Sequence, residues 1–225
     1  MQISVRHSPS FAVARVVLDS EEECRAESGA MMATSGGVQI ESKAEGGFMK
    51  SLKRSVLSGE SFFMTTFRAP HGGGWVDCAA RLPGDVMVFD VGEGLSLTKG
   101  SYLCSAQTVQ IDTAWGGFKN MWGGEGGFLV RATGSGQVAA ACYGAVDVVD
   151  LAAGEQMVLD SGHLVAYSDG MTFTTRKATK GIIQTLKSGE GLVMDFTGPG
   201  RVWKQSRNPA EFVGWLTQVL PFSRE

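Results

Sequence analysis

The sequence predicts an all-β, mainly antiparallel fold made of three similar segments, with a helix near the C-terminus. The 31 glycines among 225 residues are spread along the chain, which indicates many turns between short strands. Several stretches alternate apolar and polar residues, a pattern typical of strands with one buried and one solvated face, as in antiparallel sheets. Two motifs also occur three times in the same order, which predicts a repeated architecture.

The first recurring motif predicts a strand, a turn and a second strand. It starts at Ser28, Lys99 and Ser161, and it reads SGAMMATSGGVQIES, KGSYLCSAQTVQIDT and SGHLVAYSDGMTFTT. Each version has a glycine, then an apolar pair, a polar turn and an alternating stretch. Alternating runs on both sides of a turn signal are typical of paired strands.

The second recurring motif follows a connector of spaced apolar residues that predicts a short helix or turn. Its Gly-Glu pair places Glu60, Glu125 and Glu190 65 residues apart. We therefore expect three pseudo-repeats of roughly 65 residues, packed around a shared core with pseudo-threefold symmetry, because a unit of that size buries its apolar faces poorly alone. The first, second and third segments are approximately 1–80, 81–145 and 146–207, and together with the helix they form one compact domain, 1–225.

The stretch NPAEFVGWLTQVLPF predicts a C-terminal helix over 208–222. Asn208 suits the N-cap, Pro209 the first helical position and Glu211 the capping-box position. Apolar residues recur at helical spacing, namely Phe212, Trp215, Leu216 and Val219. We expect this helix to lie on the sheet; a contact in a dimer or on a membrane surface is the alternative.

Composition excludes several functional classes. A net charge of −3 gives no general attraction to nucleic acid or acidic lipid. The four cysteines are far apart and form no Cys-x-x-Cys pair, which fits a reducing compartment. The sequence has no signal-like leader and no run of about 18 apolar residues, so we expect a soluble cytoplasmic protein.

The motifs SGAMM, SGESFF, LPGDV, DSGHLVAYSD and above all FTGPGRVWKQSR span most of the chain. With them the sequence resembles the mitochondrial-biogenesis family called altered inheritance of mitochondria and its bacterial relatives of unknown function. The resemblance implies an all-β fold related to the tryptophan RNA-binding attenuation protein class. It implies no established catalytic activity, and a shared architecture does not by itself imply RNA binding.

The FTGPGRVWKQSR stretch supplies the main candidate binding residues. They are basic or aromatic side chains and one amide: Arg201, Trp203, Lys204, Gln205 and Arg207. A basic strand with an exposed aromatic residue suits an anionic ligand or nucleic acid. The alternative is that Trp203 packs inward while the long basic side chains cover it.

His163 and the three motif glutamates are weaker candidates. His163 replaces Ala30 and Ser101 of the other copies, so the repeat does not require it; a structural hydrogen bond is favoured over acid–base work. Glu60, Glu125 and Glu190 either converge on the pseudo-axis or point outward, and the outward arrangement is favoured. No metal-ligand spacing or nucleotide loop is present, so we predict no metal and no cofactor.

The leading functional hypothesis is a non-enzymatic β scaffold that acts through protein–protein binding or self-assembly, with a homo-oligomer expected. It rests on the repeat architecture and the lack of a catalytic motif. The alternatives are a module that binds nucleic acid or an anionic ligand through the third segment, and an enzyme that uses His163.

Overall fold

The computed structural model describes residues 1–41, 64–92, 94–114, 129–177 and 192–221. The strands of the first segment are β1 (Gln2–Arg6), β2 (Val13–Leu18), β3 (Glu23–Glu27), β4 (Met31–Thr34), β5 (Gln39–Glu41), β6 (Met64–Arg68) and β7 (Gly74–Ala79). Those of the second are β8 (Val86–Asp90), β9 (Leu95–Thr98), β10 (Tyr102–Ala106), β11 (Val109–Ala114), β12 (Leu129–Gly134) and β13 (Gln137–Ala141). Those of the third are β14 (Val146–Leu151), β15 (Gln156–Asp160), β16 (Leu164–Ser168), β17 (Thr172–Lys177), β18 (Leu192–Thr197) and β19 (Gly200–Gln205).

The predicted all-β, mainly antiparallel class is confirmed, because every pairing between the described strands is antiparallel. The alternating sequence accounts for the strands. In β12, Val130 and Ala132 are fully buried while Arg131 between them is exposed. Such alternation turns one face of the strand to the core and the other to water.

Each segment contains the same two sets of three paired strands. One set is β2-β7-β4, β8-β13-β10 and β14-β19-β16, and the other is β3-β6-β5, β9-β12-β11 and β15-β18-β17. Pairing of β3 with β10 joins the first segment to the second, and pairing of β9 with β16 joins the second to the third. The described pairings thus connect the segments in a row, and the threefold axis stays a prediction.

The described strands form two six-stranded sheets and two smaller ones. The six-stranded sheets have the orders β5-β6-β3-β10-β13-β8 and β11-β12-β9-β16-β19-β14. The smaller sheets are β1-β2-β7-β4 in the first segment and β15-β18-β17 in the third. Each large sheet therefore combines three strands from each of two neighbouring segments.

The buried apolar side chains of the described residues form three clusters, and the shared core around a threefold axis stays a prediction. The first cluster lies mainly in the first segment, and the second spans the junction between the second and third segments. The third cluster contains Phe196, whose ring lies 5.5 Å from that of Tyr167 and 5.3 Å from that of Phe173. Full burial of a side chain like Phe196 contributes about 1.5–3 kcal/mol.

The predicted C-terminal helix is confirmed and spans α1 (Pro209–Val219). The side chain of Asn208 accepts a hydrogen bond from the amide of Ala210, 2.9 Å away, which is the N-cap arrangement expected before a proline at the first position. None of the residues of α1 is buried. Among the described residues, no helix has the length and apolar character needed to cross a membrane.

Candidate binding site on strand β19

The FTGPG turn that leads into β19 is shaped by tight packing. A Cβ atom on Gly198 would lie 2.3 Å from the carbonyl oxygen of Ala152, and one on Gly200 would lie 2.4 Å from Cγ of Met171. Gly200 also has a φ of +149°, which disfavours any larger residue. The most specific motif of the sequence therefore has a structural reason to contain glycine at both positions.

Arg201 and Trp203 lie on the same face of β19, beside a shallow depression of about 360 Å³. The Nε atom of Arg201 donates to the Asp150 carboxylate at 2.5 Å, and this hydrogen bond raises the pKa of Arg201. Its guanidinium lies 5.8 Å from the centre of the Trp203 ring. The positive charge on this face is therefore already compensated by a neighbouring strand.

Trp203 packs across the junction between segments. Its ring meets that of Phe89, a residue of the second segment, edge to face at a centroid distance of 5.0 Å. The side chain is half-buried and packs against the second apolar cluster. This contact agrees with the inward-packing alternative, because a stacking platform for bases needs an open ring face.

Lys204 lies on the opposite face of β19 and is also paired. Its ammonium group contacts the carboxylate of Asp147, and that hydrogen bond lowers the pKa of Asp147. Asp147 and Asp150 both belong to β14, which runs antiparallel beside β19 with Asp147 opposite Lys204 and Asp150 opposite Arg201. Arg201 and Lys204 are therefore each paired with the carboxylate directly opposite on β14.

Gln205 is buried and ties three parts of the chain together. Its Oε1 accepts a hydrogen bond from the amide of Tyr143 at 2.8 Å, and its Nε2 donates to the carbonyl of Gly162 at 2.9 Å. Buried polar groups of this kind are costly to leave unpaired. The amide that the sequence suggested for ligand binding is therefore engaged in holding the segment junction.

His163 bonds to the end of the same strand. Its Nδ1 lies 2.7 Å from the backbone oxygen of Gln205, so Nδ1 carries a proton and donates it. The imidazole thereby fixes the turn at residues 161–163 to β19. This geometry agrees with the structural role favoured from the sequence.

Arg207 lies two residues beyond the end of β19. The guanidinium is exposed, and its Nη1 donates to the carbonyl oxygen of the preceding Ser206 at 3.1 Å. Ser206 in turn exchanges two hydrogen bonds of 2.9 Å with the backbone of Ala145. Because β19 ends at Gln205, Arg207 lies beyond the strand that carries the other candidate residues of the FTGPGRVWKQSR stretch.

Glu60, Glu125 and Glu190, predicted to lie either on the pseudo-axis or outward, are outside the described residues. So are the three connectors that precede them. In the part of the chain that the structure describes, no three His, Cys, Asp or Glu side chains are grouped so that they could hold a metal ion.

A charge cluster around the buried Asp77 in the first segment was not expected from the sequence. Asp77 on β7 accepts two hydrogen bonds of 2.8 Å from Arg15 and one of 2.6 Å from Arg6, and the bonds from Arg15 lower the pKa of the Asp77 carboxyl. Arg15 also lies 4.0 Å from the centre of the Trp75 ring. The signal was available, because an acidic residue interrupts the otherwise apolar strand GWVDCA.

The four cysteines are free and buried. A hydrogen bond with Cys78 and burial raise the pKa of Cys104, and burial raises the pKa of Cys24 and Cys142. A raised pKa keeps a thiol protonated and therefore poorly nucleophilic. These thiols accordingly behave as small apolar core residues.

Comparison with known proteins yields relatives that match most or nearly all of the chain. The family model described as Mitochondrial biogenesis AIM24 matches residues 3–207. The uncharacterized protein M6_Spy0233 of Streptococcus pyogenes serotype M6 is 28% identical over 232 residues, which cover 99% of this chain and 92% of that protein. The crystal structure of protein SPYM3_0169 from Streptococcus pyogenes matches with a TM-score of 0.82 at 26% identity, covering 97% of this chain and 99% of that one.

Proposed function

We propose that this chain, which belongs to the Mitochondrial biogenesis AIM24 family, is a non-enzymatic β scaffold that acts by binding other proteins or by assembling with itself. The observation that carries the proposal is the location of its exposed large apolar side chains. Many of them lie on two strands at sheet edges and on the C-terminal helix: Met31, Met32, Val158, Val213, Trp215 and Val219. Apolar residues concentrated on open elements are typical of interaction surfaces.

The helix α1 supports the protein-binding part of this proposal. Phe212 near its start contacts the ring of Tyr143 at 5.7 Å, while Trp215 stacks on Phe212 at 6.2 Å and stays 57% exposed. Val213 and Val219 are more than half exposed as well. Tryptophan is enriched at protein interfaces because its large ring supplies contact area at a small entropy cost.

The chemistry of the described nucleophiles and bases supports a non-enzymatic role. His163 uses Nδ1 to hold the end of β19, and the pKa of the buried Cys24 and Cys104 thiols is raised. The charged side chains of the candidate site, Arg201 and Lys204, are engaged with carboxylates of β14. These groups thus have structural partners that compete with a substrate.

Two measurements on the intact protein test the proposal. Light scattering after size exclusion should give a mass above one chain that rises with protein concentration. Affinity purification with the wild-type chain, Trp215→Ser and Phe11→Ser tests partner binding, with Phe11 as the control because it is 71% exposed but lies outside the strands and α1. We expect Trp215→Ser to lose partners that Phe11→Ser keeps. A strictly monomeric protein that retains no partner would contradict the proposal.

A further inference from the structure

Two edge strands of the smaller sheets have no described partner on their outer side, whereas the corresponding strands of the other segments do. In the second and third segments, β10 and β16 pair on their outer sides with β3 and β9. The corresponding strand of the first segment, β4, ends its sheet, and β15, which corresponds to β3 and β9, ends the sheet of the third segment. Among the described strands, β4 pairs with β7 alone and β15 with β18 alone.

An apolar side chain that is buried in β10 and β16 is exposed in β4. The strands β4, β10 and β16 each pair with the last strand of their own segment, and in each pairing the register shifts by one residue. The residues at the shift are Met32, Leu103 and Val165. Leu103 and Val165 are 1% and 0% exposed, whereas Met32 is 54% exposed. An apolar side chain stands at the same place in all three strands, and it lies open to water only where the partner strand is missing.

The outer side of β15 has a similar difference. Val158 is 56% exposed, whereas Ser96, at the corresponding position of β9, is 7% exposed. Edge strands with exposed apolar residues and unpaired backbone groups invite pairing with another chain. Lysine or proline commonly protects such edges, but β15 reads QMVLD and β4 reads MMAT, without either residue.

We propose that β15 of one chain pairs with β4 of a second copy, antiparallel and in the register that joins the segments inside the chain. The proposal rests on the self-assembly part of the proposed function. Inside the chain Cys104 faces Ala26 and Ala166 faces Leu97. Ala26, Leu97 and Leu159 each stand three residues before a glycine of the first motif. The same register therefore puts Leu159 opposite Ala33, and Val158 opposite Thr34, of the second copy.

This pairing completes a third large sheet of the kind already present. The half-sheets β17-β18-β15 and β4-β7-β2 would join in the order found in both six-stranded sheets, with β1 added at the outer end. The strand that fits beside β4 is β15, because β15 corresponds to the strands that pair with β10 and β16. Since β4 and β15 of one chain belong to separate sheets in this structure, the β15 that pairs with β4 comes from a second copy. Each chain offers one of each edge, so the contact is head-to-tail and generates a ring or a filament.

Lysine substitutions on the two edges test the pairing. We expect Met32→Lys and Val158→Lys each to weaken self-association roughly tenfold or more, because the pairing would bury an uncompensated charge. Ile40→Lys is the matched control, because Ile40 is 52% exposed on β5, an outer strand with no role in the proposed contact. Its association should change by no more than about threefold. Sedimentation velocity across a concentration series gives the dissociation constants, and circular dichroism checks the fold.

The double variant Thr34→Cys with Val158→Cys tests the register and the second copy. Directly opposed residues of an antiparallel pair come close enough for a disulfide in favourable geometry. Under oxidation we expect a ladder of dimers and higher species on a non-reducing denaturing gel, and none from the control pair Ile40→Cys with Val158→Cys. A crosslink confined to single chains, or no difference from the control, would overturn the proposal.

The outcomes separate this proposal from the broader one. If the wild type assembles and both lysine variants assemble equally well, the edge pairing is wrong while self-assembly stands. If the wild type stays monomeric at every concentration, the edge pairing and the self-assembly part of the proposed function both fail. Loss of association in Met32→Lys and Val158→Lys but not in Ile40→Lys supports both.

Discussion

The strand pairs β16–β19 and β4–β7 occupy the same place in their segments but differ in what covers them. On the outer side of β16 lies β9, and all residues of β16 except the last are buried. The sequence of β4 is comparably apolar, yet none of its residues is buried, and Met31 is 41% exposed where Leu164 is 2% exposed. An apolar sequence pattern therefore shows which side chains favour burial, but it does not show whether a neighbouring strand is there to bury them. Such a strand is present beside β16, and none is described beside β4.

Truncation of the corresponding apolar residues should give the largest contrast. Leu164→Ala should lower the free energy of unfolding by about 2–5 kcal/mol, because it leaves a cavity in the third cluster. Met31→Ala should cost about 1 kcal/mol or less, since its side chain is partly solvated in the single chain. Urea unfolding at dilute protein concentration measures both, and similar losses at the two positions would contradict the comparison.

The next largest loss of stability is expected at Asp77 of β7, whose carboxylate is held by two arginines. Asp77→Asn should cost about 1.5–3 kcal/mol at neutral pH, because it weakens charged hydrogen bonds to Arg6 and Arg15. The folded state lowers the pKa of Asp77, so this stabilisation is present above the pKa of the unfolded chain. It should disappear as pH falls below about 4 and the carboxylate is protonated.

Urea unfolding of wild type and Asp77→Asn between pH 7 and pH 2.5 checks this dependence. The gap between the two proteins should shrink in the acid range. Asp150→Asn is the control, because the Asp150 side chain is 69% exposed in its pair with Arg201 and such pairs contribute little. A gap that stays constant to pH 2.5 would show that the charge of Asp77 does not stabilise the fold.

Gln205→Ala tests the junction beside β16 with a smaller expected loss. The substitution removes the partner of the Tyr143 amide and of the Gly162 carbonyl, which should cost about 1–3 kcal/mol. Gln156→Ala, at an exposed position of β15, should be nearly neutral. Thermal unfolding followed by circular dichroism compares the two, and equal stability would remove the structural role assigned to Gln205.

The smallest effect is expected for Arg201→Ala on binding to a polyanion. Because Arg201 is paired with Asp150, its removal should leave the salt dependence of any binding to single-stranded RNA unchanged. A fluorescence anisotropy titration at several salt concentrations measures the slope of log affinity against log salt concentration. Arg207→Ala is a second variant, because among the described residues its exposed guanidinium hydrogen-bonds only to the adjacent carbonyl. A slope reduced by about 0.7 in Arg201→Ala would indicate a phosphate contact and favour the alternative function.

Sequence reasoning was sufficient where local chemistry decides the structure. The Asn208 cap followed by Pro209 fixes the start of α1, and the alternating apolar residues of stretches such as LVRATG predict their strands. The FTGPG motif, on which the family resemblance mainly rests, is likewise a local feature, since Gly198 lies too close to Ala152 for a side chain.

Sequence reasoning was insufficient where the answer depends on distant pairing. Arg201 and Lys204 suggested an anion site because their partners, Asp150 and Asp147, lie more than 50 residues earlier, on β14. The same reason hid the contact of Asp77 with Arg6 and Arg15. The open edges β4 and β15 could not be predicted either, because their apolar residues resemble those of buried strands and only the sheet order distinguishes the two.

Amide hydrogen exchange of β4 compared with β16 tests the central claim most directly. Measured on the wild-type protein at low and high concentration, the amides of β16 should be protected in both samples, because both sides of that strand are paired. The amides on the unpaired sides of β4 and β15 should exchange rapidly in the dilute sample and become protected at high concentration. Protection of β4 and β15 that does not change with concentration would contradict the account.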